Sequence, residues 1–221
     1  MSRNSSNMLY LGVFLCLVCA IAATVMGLAA AVTKEPIAQA RLRKVSDGLR
    51  AVLPAFDNAP MSEAKVLDGV AFYPAKMNGQ LVGYAAQLSV NSGYGGKVEA
   101  LVSFRPDGAI RTFIVTGHSE TPGLGSNVTD RVQEKTLAGL FRSEKRTGLP
   151  ENRILDQYAG HSAAKTDAWA QPWTLKKDGG SAEYISGATI SSRAVNELAW
   201  KAASVFEAHR AELVGTEGDK K

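Results

Sequence analysis

One run of residues constrains this chain more than any other. From Met8 to Val32 there are 25 consecutive residues without a charged side chain. At about 1.5 Å per residue, a helix of that length exceeds the ~30 Å hydrocarbon core of a bilayer. A secretory signal has a shorter apolar core, roughly 7–15 residues. The length therefore predicts a retained anchor, although Ala29-Ala30-Ala31 imitates a cleavage site. Both cysteines, Cys16 and Cys19, fall inside the run, where they read as small hydrophobes in lipid. The rest of the chain has no thiol. Disulfide frameworks, cysteine-ligated zinc or iron–sulfur centres and cysteine nucleophiles are excluded there.

Charge narrows the reading further. Arg3 is the only charged residue before Lys34, so +3 of the formal +4 belongs to the remainder. That balance is too weak for a nucleic-acid partner. With 45% hydrophobic and 21% charged residues, the chain is neither a disordered acidic segment nor a polytopic transporter. The 221 residues predict one folded domain with an appendage. Counting Lys34, Arg41, Arg43 and Lys44 against Arg3 places the large part in the cytoplasm. A tail as short as residues 1–7 leaves that orientation open.

After the anchor (8–33), residues 34–54 read as a helix. Ile37, Arg41, Val45, Leu49 and Val52-Leu53 recur every three or four positions, and Pro54 ends the run. It leads into the domain as a juxtamembrane helix and linker (34–58); the other reading is a basic amphipathic helix on lipid headgroups. From Lys65 the pattern becomes β. A strand from Val66 to Tyr73 leads to Asn78-Gly79, a two-residue hairpin signal, and returns from Leu81 to Val90. Asn91 to Gly96 reads as a glycine-rich loop. Val98–Phe104 and Ala109–Val115 form a second hairpin around Pro106-Asp107-Gly108. Consecutive hairpins predict an antiparallel sheet. A helix is expected after residue 125, starting near Asn127 or Thr129, with Val132, Leu137 and Leu140-Phe141 on its apolar face. Residues 142–172 read as polar and irregular, and Trp173–Lys177 as a short strand before Asp178-Gly179-Gly180. The last helix is the clearest: Val195, Leu198-Ala199, Ala202, Val205-Phe206 and Leu213 make one stripe, with Ser191 or Ser192 as N-cap. The domain spans 59–214, and 215–221 is a charged, flexible tail. The class is α+β: an antiparallel sheet with packed helices, preceded by one transmembrane helix.

Three glycine-containing clusters are the candidate chemistry. Gly93-Tyr94-Gly95-Gly96 permits close backbone approach to a ligand, or simply closes a loop. His118-Ser119-Glu120-Thr121-Pro122-Gly123-Leu124-Gly125 can offer backbone N–H groups and a carboxylate to a polar ring. It is not a serine hydrolase fragment, because Ser119 has no nucleophile elbow and His118 is its sequence neighbour; taken alone, His118 reads as an exposed loop residue. Gly123-Leu124-Gly125 does not open a βαβ unit and is not a dinucleotide fingerprint. The third cluster, Ser186-Gly187-Ala188-Thr189-Ile190-Ser191-Ser192, precedes the last helix. It reads as a capping sequence that can also stabilise a phosphate at the helix start.

Together these residues resemble the FMN-binding domain family. Ser186-Gly187-Ala188-Thr189 with Ile190-Ser191 is similar to that family's flavinylation motif. The likeness extends to the Glu120–Gly125 loop and to Gly93–Gly96. With the single anchor and the length, it points to the G subunits of Rnf-type electron-transport complexes, and next to the C subunits of sodium-translocating NADH:quinone reductases. The resemblance implies FMN held covalently through its phosphate on Thr189, with Gly187 and Ala188 leaving room. It implies that Ser186 and Ser191 hydrogen-bond the phosphate. Glu120, Thr121, Leu124 and Gly125 would line the isoalloxazine, and Lys176 or Lys177 would neighbour phosphate or ring. Three residues before the motif's serine the family carries aspartate; here the residue is Glu183. The implied partners are other subunits of an ion-translocating ferredoxin:NAD oxidoreductase complex, a flavinyl transferase and the membrane. The resemblance also places the domain on the periplasmic side of the inner membrane, against the charge count. No residue of this chain is expected to be catalytic; Thr189 is a tether. A non-redox FMN-binding or sensor module outside the cytoplasm is the reading from a different class.

Overall fold

The computed structural model describes residues 3–131 and 148–214, with side chains from Met8 onward. The chain separates into two compact units, Met1–Val45 and Ser46–Lys221. Helix α1 (Arg3–Val52) crosses that boundary and continues through Pro36 without a break. It contains one stretch apolar enough to cross a membrane, with a mean hydropathy of 2.6. Between Met8 and Val32 its large apolar side chains are 45–74% exposed. An apolar helix exposed all round among the described residues fits a membrane anchor.

The second unit starts with the last turn of α1. Of the apolar stripe expected over 34–54, Leu49, Val52 and Leu53 are buried, whereas Ile37 is 51% exposed. Gly48 explains how the turn approaches so closely. A Cβ there would lie 2.6 Å from Leu101 Cδ1 and 3.7 Å from Ile114 Cδ1. This turn therefore covers one face of the sheet.

The sheet is a five-stranded antiparallel meander: β1 (Lys65–Leu67), β2 (Val70–Met77), β3 (Gln80–Gly93), β4 (Gly96–Phe104) and β5 (Ile110–Gly117), in that spatial order. The expected strand from Val66 to Tyr73 is in fact two. Asp68 and Gly69 turn the chain with φ of 47° and 76°, matching Asn78 and Gly79 at 52° and 77°. Both pairs have the two positive φ values that a tight twisted hairpin needs. At the other end, β3 runs on to Gly93, so the expected loop from Asn91 shrinks to Tyr94-Gly95.

Among the described residues, two short helices precede the last long one: α2 (Ser126–Thr129) and α3 (Arg153–Asp156). Helix α4 (Thr189–Ala208) covers the opposite sheet face. Ala194, Val195, Leu198, Ala199, Ala202, Ala203 and Phe206 are at most 1% exposed. They meet Phe72, Ala86, Leu88, Ala100, Val102 and Phe104, the inward residues of a period-two pattern. Phe206 stacks on Phe104 with centroids 4.7 Å apart and also touches Phe72 and Tyr84. The expected stripe holds, but the helix breaks at His209 and Leu213 lies on α5 (Arg210–Val214).

Three other expectations change. After residue 125 the described helix is the single turn of α2; Val132, Leu137, Leu140 and Phe141 lie outside the described residues. Trp173–Lys177 is not a strand. Only Leu175 pairs, in a bridge to Ala182, and a 3-10 turn follows at Lys176–Asp178. The described part of 142–172 is polar on average yet contributes to the core. It holds α3, and Ile154, Leu155 and Tyr158 are at most 2% exposed. Asn152 anchors this segment. Its side chain accepts from Ile154 and Leu155 N–H and donates to the carbonyls of Asn127, Val128 and Asp130.

Candidate functional site

The three glycine clusters converge. The hairpin tip between β3 and β4 reaches the loop after β5, and that loop reaches the start of α4. Their meeting point is Glu120, which is 5% exposed. Its Oε2 accepts a 2.6 Å hydrogen bond from Ser191 Oγ, and its Oε1 lies 3.4 Å from the Gly95 amide. Glycine is required where these segments touch. A Cβ on Gly125 would sit 2.5 Å from Glu120 Oε2 and 2.7 Å from Ser191 Oγ. On Gly95 it would sit 1.9 Å from the Ser119 carbonyl oxygen, closer than any real contact.

His118 is not an exposed loop histidine. Its side chain is 20% exposed and bonded at both ring nitrogens. Nδ1 accepts the Glu120 backbone N–H at 3.1 Å, so the proton of the neutral ring sits on Nε2. Nε2 lies 2.6 Å from Asp130 Oδ1, which accepts it. The histidine thereby ties the start of the loop to its exit beyond α2.

Thr189 is the first residue of α4 and is half-buried. Before it, Ser186 and Gly187 are exposed, Gly187 at φ 87°, and Ala188 is buried at 4%. Ala188 occupies the N-cap position and supplies no side-chain cap. The expected caps sit inside the helix instead. Ser191 bonds Glu120, and Ser192 donates to the Ala188 carbonyl at 2.9 Å while accepting from Ile185 N–H. The first N–H groups of α4 therefore keep the unsatisfied, electropositive character of a helix start. Beside them, Leu124 and Ile190 are 49% and 46% exposed. A Cβ on Gly187 would lie 3.8 Å from Leu124 Cδ2, so the 121–125 loop borders the threonine segment directly. Thr121 is exposed, and its carbonyl closes that loop by accepting from Leu124 and Ser126 N–H.

These features fit a phosphorylated flavin. A half-buried hydroxyl stands at an uncapped helix start, with an apolar, partly exposed rim next to it. A cavity beside α5, lined by Lys65, Phe72, Leu81, Tyr84 and Leu213, contains none of these residues. Lys176 is 55% exposed and pairs with Glu183. Hydrogen bonding to Lys176 holds the Glu183 carboxyl below its ordinary value. The same turn is fixed to α4 by Arg193, whose fork grips Asp178 at 2.9 and 2.7 Å.

Several supporting residues carry no local sequence signal. Asn196 accepts from Tyr158 Oη at 3.1 Å and donates to the Trp173 carbonyl at 2.7 Å. Arg131 donates to the carbonyls of Phe113 and Pro150 and to Asp156. The position of Asn196, within an apolar helix face, is the one hint the sequence offers.

Comparison with known proteins places these segments in one family. The FMN-binding domain family matches residues 93–204. That span begins at the first glycine of the β3–β4 tip and ends inside α4. The chain is 31% identical over 216 residues to the G subunit of the ion-translocating oxidoreductase complex of Cereibacter sphaeroides, covering 95% of this chain and 89% of that protein. It is 32% identical over 193 residues to the protein of the same name from Stutzerimonas stutzeri, covering 84% and 75%. The Pseudomonas aeruginosa protein of that name is 30% identical over 196 residues, covering 84% and 82%. The fold is an α+β domain preceded by a long apolar helix, and the family it matches is an FMN-binding one. The chain belongs to the FMN-binding domain family, and within it to the G subunits of ion-translocating oxidoreductase complexes.

Proposed function

We propose that this chain is a membrane-anchored electron-transfer subunit of an ion-translocating oxidoreductase complex of the Rnf type, carrying FMN covalently on Thr189. One observation carries the reading. Thr189 opens an uncapped helix directly beside the 121–125 loop, and both lie within the span that matches the FMN-binding family. When bound, FMN supplies the redox chemistry, passing electrons between neighbouring centres of the complex.

The chain's own residues tether and surround it. The Thr189 oxygen would form the phosphoester, losing its proton as the diphosphate bond of an activated flavin dinucleotide donor breaks and a nucleoside monophosphate leaves. The first N–H groups of α4 would stabilise the phosphate, with Gly187 and Ala188 leaving room for it. Thr121, Leu124 and Gly125 would border the ring, and the exposed Ser186 hydroxyl would serve the phosphate. Lys176, paired with Glu183, would have to give up that partner to serve either. Attachment requires a flavinyl transferase, and the domain faces the periplasm. Between Met8 and Val32 there is no Asp, Glu, Lys, Arg or His, so this chain alone offers no ion path. The coupling of electron flow to ion movement belongs to its partners in the complex.

The test is a pair of proteins made with an active transferase. Wild type should keep flavin fluorescence through denaturing electrophoresis, and Thr189→Ala should be folded and dark. A fluorescent Thr189→Ala band would move the attachment elsewhere.

A further inference from the structure

Ser191 lies two positions after Thr189, so its side chain leaves α4 in a different direction. It is 2% exposed, and its hydroxyl donates to Glu120 Oε2 at 2.6 Å. The other carboxylate oxygen faces the Gly95 amide. An ionised carboxylate is acceptor-only, which suits two donors. No ion pair to Glu120 occurs among the described residues. What compensates its burial is this pair of donors and the positive end of a 20-residue helix. Glu120 is also enclosed by glycines. A Cβ on Gly93 would lie 2.5 Å from Oε1, and one on Gly125 would lie 2.5 Å from Oε2. The carboxylate therefore has little room to take another rotamer.

The start of α4 has no cap of its own at Ala188. Its first turn is instead held from outside, by a residue 71 positions away in sequence. We infer that Glu120 is a positioning residue for Thr189: through Ser191 it holds the first turn of α4, and with it the threonine hydroxyl, in the orientation that receives the flavin phosphate. The inference rests on the tether reading above. It also assigns the Ser191 hydroxyl to Glu120 rather than to the phosphate. Side-chain orientation at the first turn follows the backbone of that turn, so loosening Ser191 spreads the hydroxyl of Thr189 over more directions. Misorientation of that kind slows a transfer step without weakening the encounter that precedes it.

The experiment measures flavinylation of the full chain in detergent by its transferase, with a flavin dinucleotide as donor: the Thr189 oxygen loses its proton and takes the flavin phosphate as the donor's diphosphate bond breaks and a nucleoside monophosphate leaves. Covalent fluorescence after denaturation is read at increasing concentrations of the chain. The variants are Ser191→Ala, Glu120→Gln and the double variant, each checked for folding by its melting curve. Removing one charge-assisted hydrogen bond should lower the limiting rate roughly tenfold. The half-saturating concentration should stay within about twofold of wild type, because encounter is unaffected. The double variant should be no slower than the slower single one, since both changes act on the Ser191–Glu120 bond, Glu120→Gln by removing its charge and Ser191→Ala by removing its donor. A wild-type rate in Ser191→Ala, a change confined to the half-saturating concentration, or multiplying effects in the double variant would each overturn the inference. If Glu120→Gln fails to fold, Ser191→Ala decides alone. Absence of any adduct in wild type would instead remove the tether reading, and this inference with it.

Discussion

Arg193 stands one helical turn after Thr189 and grips both carboxylate oxygens of Asp178, with Nε 2.9 Å from Oδ2 and Nη2 2.7 Å from Oδ1. A two-point contact of this kind fixes direction as well as distance. It joins α4 to the turn that carries Lys176, so the segment from Leu175 to Arg193, which contains the proposed attachment residue Thr189, closes on itself.

The pair makes a prediction about acid. Hydrogen bonding from Arg193 holds the Asp178 carboxyl below its ordinary value of 3.8. A carboxyl depressed on folding stabilises the folded state above its unfolded pKa, and the benefit disappears as pH falls through the folded one. The turn should therefore loosen only below about pH 4. Titration of the Asp178 carboxyl carbon by NMR checks this. In Arg193→Gln it should titrate closer to its ordinary value, with Lys177 still nearby. An unchanged titration would show that the contact does not persist in solution.

Phe206 packs α4 on the sheet, fully buried against Phe72, Tyr84 and Phe104. Phe206→Ala should cost about 3–5 kcal/mol, the range for a buried aromatic. Urea unfolding should show that loss as a lower midpoint with an unchanged slope. A cost under about 1 kcal/mol, the scale of a surface change, would contradict the packing.

Gly95 tests the convergence of the hairpin and the loop. Its conformation does not demand glycine, but a Cβ would strike the Ser119 carbonyl. Gly95→Ala should destabilise the domain by about 1–3 kcal/mol, the cost of overpacking. It should also slow flavinylation, because the hairpin must withdraw from Glu120. Gly69→Ala provides the contrast. Nothing lies near its Cβ, so its cost comes only from the positive φ and should leave flavinylation intact.

Asn152 satisfies backbone groups on both sides of residues 132–147. Asn152→Ala removes the cap of α3 and leaves the carbonyl partners in the 127–130 segment without its donors. The expected loss is about 2 kcal/mol or more. Hydrogen exchange at Ile154 and Leu155 should rise before that of the sheet amides. Equal acceleration throughout would show that these residues unfold only with the whole domain.

Much of the architecture is legible in the residues themselves. The α+β class follows from alternating strands and one strong helical stripe. Asn78-Gly79 is plain because long strands flank it. Asp68-Gly69 obeys the same rule but is hidden, since β1 is only three residues long. The three glycine clusters are equally visible as local sequences. Their meeting at Glu120 is not, because the Glu120–Ser191 contact spans 71 residues and no periodicity encodes it. Ser191 and Ser192 look like caps because serine favours that place. In the fold the N-cap position falls three residues before Ser191, at Ala188, and Ser191 instead donates to Glu120, so the helix start is left without a side-chain cap. Trp173–Lys177 has strand-like residues but, among the described residues, pairs only through the Leu175–Ala182 bridge, and a 3-10 turn follows.

The central claim is a covalent flavin on Thr189, and peptide mapping tests it most directly. The full chain, made with its transferase, should gain the mass of one FMN less one water. After digestion the fluorescent adduct should lie on the peptide that contains Ser186–Ser192, with fragmentation placing it on Thr189. A flavin that leaves on denaturation, or an adduct on any other residue, would contradict the account.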